Sequence, residues 1–386
     1  MNAPPLALYV HFPWCVSKCP YCDFNSHAVQ GELPADRYLA ALTADLEAQA
    51  PHVADRPVVS VFLGGGTPSL FSPEAIAQVL GTARRLLPFA PDVEVTLEAN
   101  PGTIERGRFA GYRDAGVNRV SLGAQSFDTA TLKTLGRIHS PAETRRAAEE
   151  LHAAGLDNFN LDLMYALPGQ SVGGALADLD AALALAPAHL SQYQLTLEPG
   201  TLFAARPPAL PGDDAAHAML DACLERLEAR GYRRYEVSAY AREGRRCRHN
   251  LNYWEFGDYL GIGAGAHGKR SDAGAQRIVR TTRPREPRRY MAAAHALPES
   301  REVVQADRPF EFLMNALRLV DGFAPALFER RTAVAWAAIE GRLEDLAARG
   351  LVERSTANCR PTRRGLDFLN ELLLEFLPES RAGAAG

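Results

Sequence analysis

The chain has 386 residues, 47% of them hydrophobic, enough to bury one large core and a smaller second one. A net charge of −4 gives no global attraction to nucleic acid, and six cysteines with three clustered argue against a secreted disulfide framework and for a reducing, cytoplasmic setting. The N-terminus, MNAPPLAL, lacks a basic or long apolar segment, and uncharged runs such as Pro57 to Pro73 are broken by Gly, Pro and Ser, so neither a signal peptide nor a membrane span is expected.

From Leu6 to Leu197, β-rich runs alternate with amphipathic helical stretches. Strands are predicted at Leu6 to His11, Val58 to Leu63, Val93 to Glu98, Val117 to Gly123, Asn158 to Met164 and His189 to Thr196. Helices are predicted between them at Ala35 to Gln49, Pro73 to Leu87, Ile104 to Asp114, Pro141 to Ala153 and Gly174 to Leu185. Repeated βα units imply an α/β fold, a partial (β/α)6 TIM-like barrel whose chemistry sits at the carboxyl ends of its strands. An acid-rich helix, Asp213 to Arg230, and a strand, Arg234 to Tyr240, lead to a basic, glycine-rich segment expected to be mostly loop. Within it, Arg277 to Arg289 holds six arginines and one glutamate. The pattern from Trp336 to Phe376 reads as helix, small β-wing and helix, a smaller α+β domain of winged-helix character. The expected division is 1–200, 201–300 and 301–378, with a disordered tail over 379–386. DNA binding through Arg360, Arg363 and Arg364 in the wing is the weaker reading, because no dense basic helix precedes them.

Tyr9 to Phe24 reads YVHFPWCVSKCPYCDF, and Cys15, Cys19 and Cys22 are spaced so that one short loop can turn three thiolates toward a single centre. Structural zinc usually takes four protein ligands, whereas Cys223, Cys247 and Cys359 are single and remote; His11 or His27 would have to complete such a site. Three thiolates also suit a cubane iron-sulfur cluster with one iron left open for a small molecule.

Polar motifs follow the strands. GGGTPS ends the second, where glycines let backbone N–H groups approach a ligand. Glu98 ends the third, where a carboxylate calls for a cation; Gln125, Arg137 and Asp162 follow on the next two units. HNLNYW supplies His249, Tyr253 and Trp254 with Arg246 and Arg248 beside them, a set able to offer an axial ligand, an apolar face and two cations.

CxxxCxxC with Tyr21 before its last cysteine resembles the radical S-adenosylmethionine (SAM) superfamily, in which the motif holds a 4Fe-4S cluster whose open iron chelates SAM. YVHFPWC, CPYCDFN, FLGGGTPS, LEANPG, SLGAQSF, LGRIHS and DLMYALPGQ together resemble the oxygen-independent coproporphyrinogen III oxidase-like family. The resemblance implies SAM contacts at Tyr9, Tyr21, Gly65, Gly66, Thr67, Glu98, Gln125, Arg137 and Asp162.

Only eight residues precede Tyr9, and Phe24 stands where the oxidase has a further cysteine. HNxxYW is instead similar to the signature of the heme-chaperone branch, which implies heme as ligand, His249 as its heme-binding residue and Cys247 as a lesser alternative. The expected function is then a heme carrier serving client hemoproteins of the respiratory chain. Transient membrane contact is expected through Arg277 to Arg289, and self-association into a homodimer is left open. The alternative is radical oxidative decarboxylation of coproporphyrinogen III.

Overall fold

A computed structural model of the chain describes residues 3–53, 55–102 and 107–377; the expected C-terminal tail and part of the predicted helix at Ile104 to Asp114 lie outside them. Twelve strands form one sheet. In chain order they are β1 (Leu6–Phe12), β2 (Val58–Gly65), β3 (Phe89–Ala99), β4 (Arg119–Gln125), β5 (Phe159–Tyr165), β6 (His189–Gln194), β7 (Arg233–Glu236), β8 (Ala239–Ala241), β9 (Asp258–Ile262), β10 (His267–Asp272), β11 (Arg277–Thr282) and β12 (Glu299–Glu302). Their order across the sheet is β12-β11-β10-β9-β1-β2-β3-β4-β5-β6-β8-β7.

β1 to β6 pair in parallel, each with its successor. The helices that carry the crossovers are α1 (Ala35–Gln49), α2 (Pro73–Leu86), α3 (Phe109–Asp114), α4 (Thr129–Thr134), α5 (Pro141–Ala153) and α6 (Val172–Leu183). Parallel strands covered by helices are buried on both faces, and every residue of β4 is buried accordingly. The helices start where local chemistry satisfies their first amides: Ser72, Asp128 and Ser171 each cap through a side-chain oxygen. α5 opens with a full capping box between Ser140 and Glu143. These six strands and their helical crossovers carry the predicted partial barrel.

The flanks differ from expectation. The strand predicted from Arg234 to Tyr240 is a tight β7–β8 pair, because β8 leaves β7 to run antiparallel to β6. The glycine-rich segment is not mostly loop: β9 lies parallel to β1, with Leu6 opposite Asp258, and β10 to β12 continue the sheet antiparallel. The glycines permit that packing, since a Cβ on Gly261 would lie 1.9 Å from the His267 carbonyl oxygen. α7 (Asp213–Ala229) covers α6, and α8 (Arg248–Trp254) packs beneath β2.

C-terminal to the sheet, the helix Ala337–Ala348, the antiparallel pair Val352–Arg354 and Cys359–Pro361, and two short helices form the predicted helix-wing-helix pattern. They share a second core containing Phe312, Phe323, Phe328, Leu343 and Leu372, joined to the sheet side through Phe256 and Ile278. Two of the three wing arginines are bound to carboxylates, Arg360 to Glu353 and Arg363 to Asp221 and Asp367, which leaves little free charge for phosphates. Among the described residues, no helix is long and apolar enough to cross a membrane.

Candidate metal centre and adjoining cavities

The cysteine loop is pinned at both ends. Trp14–Cys15 pairs with His27–Ala28 as a short parallel bridge, and the amides of His27 and Val29 donate to the carbonyls of Pro13 and Cys15 at 2.7 and 2.9 Å. Between these points Cys15, Cys19 and Cys22 face one cavity of about 460 Å³ at the carboxyl ends of the strands. All six cysteines are free, and the other three are buried elsewhere. Among the described residues no group of three or more His, Cys, Asp or Glu gathers closely enough for one ion. The three thiols share one wall of the cavity. His11 does not complete a zinc knuckle: its ring nitrogens are committed to the Tyr9 hydroxyl and the Asn25 carbonyl, each at 2.9 Å.

Eight of the nine positions expected to contact SAM line this cavity: Tyr21, Gly65, Gly66, Thr67, Glu98, Gln125, Arg137 and Asp162. Tyr9 faces a neighbouring cavity instead, one of about 450 Å³. GGGTPS serves differently from the expected amide cradle. The Gly65 amide donates to Glu98 at 2.9 Å, while those of Gly66 and Thr67 donate to the carbonyls of Phe12 and Trp14 at 2.7 Å. Its glycines are needed for closeness: a Cβ on Gly66 would lie 2.5 Å from the Trp14 carbonyl oxygen, and one on Gly65 2.4 Å from the His11 ring.

Glu98 is partly buried in the cavity wall with no ion-pair partner among the described residues, and desolvation, reinforced by the charge of Asp162, pushes its carboxyl up to about 7. Burial also raises Asp162, against hydrogen bonds from Asn160 at 2.8 Å and Ser121 at 3.1 Å. Gln125 is turned into the cavity by a register slip between β4 and β5, and its backbone adopts a left-handed φ of 66°. For a side chain with a Cβ this conformation is strained, and the Tyr193 hydroxyl holds its amide oxygen at 2.8 Å. Arg137 reaches back to the metal loop, with Nη1 3.8 Å from the Cys19 sulfur and Nη2 on the Gly123 carbonyl at 2.7 Å.

Sequence reasoning missed two residues of this wall. Asn100 accepts from Arg137 at 2.5 Å and donates to Thr67 at 2.9 Å, bridging two motifs; the signal was its place two residues after Glu98. Tyr193 is a lone tyrosine in a strand and carried no signal.

Of the expected heme constellation, Tyr253 stands against His249 with ring centroids 5.0 Å apart, while the two arginines are paired elsewhere. The His249 ring is buried, stacked on Phe62 at 4.9 Å, bonded through Nδ1 to Ser60 at 3.0 Å, and lines neither cavity. Burial, helped by the charge of Arg119, lowers its pKa to about 3, so it is neutral. Its Nε2 has no partner among the described residues. Arg246 and Arg248 are paired with Asp321 and Asp92, and Cys247 is buried against Glu94. Of the Arg277 to Arg289 cations, Arg280 is held by Glu311 and Arg283 is buried on Asp45.

The chain matches the radical SAM superfamily over residues 9–181 and the HemN C-terminal domain over residues 303–368. It is 50% identical to the heme chaperone HemW of Escherichia coli K12, over 98% of this chain and 100% of that one. It is 46% identical to HemW of Haemophilus influenzae, over 97% and 99% of the two chains. A mitochondrial radical S-adenosyl methionine domain-containing protein 1 of mouse is 36% identical, over 97% of this chain and 87% of the mouse protein. Among solved structures, coproporphyrinogen III oxidase (HemN) of Escherichia coli superposes with a TM-score of 0.82, covering 97% of this chain and 90% of its own; at 24% identity this speaks for the fold.

Proposed function

Because the chain belongs to the radical SAM superfamily, and within it to the HemW group of heme chaperones, we propose that it binds heme and passes it to client hemoproteins, including those of respiration, under the control of a SAM-liganded 4Fe-4S cluster. The observation that carries this reading is the similarity to named heme chaperones along practically the whole chain, through the glycine-rich segment and the C-terminal domain.

The geometry supports the cofactor part. Cys15, Cys19 and Cys22 would hold three iron corners and leave the fourth open to SAM; when bound, the cluster supplies an electron to the neighbouring sulfonium. Glu98 would take the SAM ammonium from the end of β3, Arg137 its carboxylate from the loop after α4, and Asp162 its ribose hydroxyls from the middle of β5. His249 acts from behind the cavity wall, through its ring contacts with Tyr9 and Tyr253. Arg277, Arg285, Arg288 and Arg289, the members of the basic stretch not paired among the described residues, provide the contact with an anionic membrane surface where membrane-bound clients are served.

The test is anaerobic reconstitution, hemin titration with and without SAM, and transfer to an apo-hemoprotein. Saturable binding and transfer faster than from free heme are expected. Absence of saturable binding, or conversion of coproporphyrinogen III to protoporphyrinogen in a parallel assay, overturns the reading.

A further inference from the structure

The neighbouring cavity is bounded by β1, the end of the metal loop and the turn between β9 and β10. Its volume, about 450 Å³, is in the ordinary range for organic ligands. Gly65, Glu98 and Phe24 line both cavities, so a ligand here lies next to the SAM site. Tyr253 and Tyr259 form an aromatic wall with ring centroids 4.3 Å apart, and Phe24 stands exposed at the mouth.

Two imidazoles border this space, and they differ. His11 has both nitrogens bonded within the protein. His267, the first residue of β10, is exposed and its ring makes no hydrogen bond among the described residues. Partial desolvation and the charges of Arg280 and Arg285 lower its pKa, which leaves the ring neutral with a free lone pair near pH 7. Arg285 borders the same space with no ion pair among the described residues.

The surrounding frame is stiff. Tyr38 accepts the Ala264 amide at 2.9 Å, Asp45 accepts the Gly263 amide at 3.2 Å and the Tyr290 hydroxyl at 2.9 Å, and Asn25 bonds the Ala264 and Arg285 carbonyls at 2.9 and 2.8 Å. An imidazole at the start of β10 that borders the same space as an aromatic wall, with an unpaired guanidinium near it, brings together the groups heme requires.

We propose that this second cavity is the heme site, with His267 as axial ligand to the iron, the macrocycle against Tyr253 and Tyr259, and Arg285 on a propionate. The proposal rests on the heme-carrier reading and gives it a place. His249 is one layer behind, its ring 5.0 Å from Tyr253 and 6.4 Å from Tyr9, so it shapes the wall from outside.

The test uses the full, cluster-loaded chain. Hemin is titrated into wild type, His267→Ala, Arg285→Glu and His249→Ala, and ligation is read from the Soret band and the ferric paramagnetic spectrum. His267→Ala should bind hemin at least tenfold more weakly, lose the imidazole signature and regain it with added imidazole, with cluster absorbance unchanged. Arg285→Glu should weaken binding severalfold with the signature kept. His249→Ala, even where it weakens binding, should keep imidazole ligation in the residual complex. An unaltered signature in His267→Ala, or its loss in His249→Ala alone, overturns the assignment and leaves the heme-carrier reading standing. No saturable hemin binding by wild type defeats that reading itself.

Discussion

Glu98 accepts the Gly65 amide at 2.9 Å in a wall that both cavities share, and among the described residues it has no ion-pair partner, Arg137 and Arg285 bordering one cavity each without pairing with it. A carboxylate so placed is costly to ionise and ready for a cationic ligand. With its pKa raised to about 7, the neutral form predominates below that pH in the free protein, so binding the SAM ammonium there requires release of a proton. SAM affinity should rise up to about tenfold per pH unit from pH 5.5 to 7 and level off above. Titration calorimetry in buffers of different ionisation enthalpy measures it. Glu98→Gln should flatten the profile, and a flat wild-type profile removes Glu98 from the ligand set.

Replacement of Gly66 by Ala places a methyl 2.5 Å from the Trp14 carbonyl oxygen, a backbone atom that cannot move without moving the cysteine loop. The change should cost roughly 1–3 kcal/mol in urea unfolding and lower iron retained per chain. Gly81, in the middle of α2 with nothing within 4 Å of where a methyl would stand, provides the contrast. Gly81→Ala should stabilise by roughly 0.5–1 kcal/mol and leave iron content alone.

Thiol reactivity should separate the cysteines into two sets. Cys15, Cys19 and Cys22 are partly exposed at a cavity, and although burial raises Cys15 and Cys22 too, Cys223, Cys247 and Cys359 are buried, with Cys247 pushed up to about 12 and Cys359 up to about 11. Iodoacetamide should label the first three in the native metal-free protein, none of them after cluster reconstitution, and all six only on unfolding. Mass mapping that finds Cys247 or Cys359 modified in the folded protein contradicts the described packing.

Asn100 joins Arg137 to Thr67. Asn100→Ala removes an acceptor from one and a donor from the other inside the site, a loss of about 1–3 kcal/mol. SAM should bind roughly tenfold more weakly, a change worth about 1.4 kcal/mol, with the cluster retained. Equilibrium dialysis beside iron analysis reads both, and full SAM affinity in the variant removes the bridge from the site.

What was legible in the sequence follows from how each feature is encoded. The strands of the barrel announce themselves as short runs rich in β-branched and large apolar residues between helical stretches, and α1 and α5 fall on their predicted bounds, α5 with its start marked by a capping box. The site residues were readable because chemistry collects at strand ends in this architecture. β9 was hidden: Gly261 and the glycines flanking the strand read as loop, and its partner, β1, lies more than two hundred positions earlier. Arginine counts likewise revealed nothing of Glu311 and Asp45, which arrive from distant helices to neutralise Arg280 and Arg283. Asn100 and Tyr193 were single polar residues whose meaning exists only once the loops meet.

The pairing of β1 with β9 also delays the covering of one side of β1 until late in synthesis. While the ribosome has made only the first two hundred residues, β1 has β2 on one side and bare N–H and C=O groups on the other. The nascent barrel therefore carries an open edge until Asp258–Ile262 emerges, and chaperone protection during translation should be most needed in that interval.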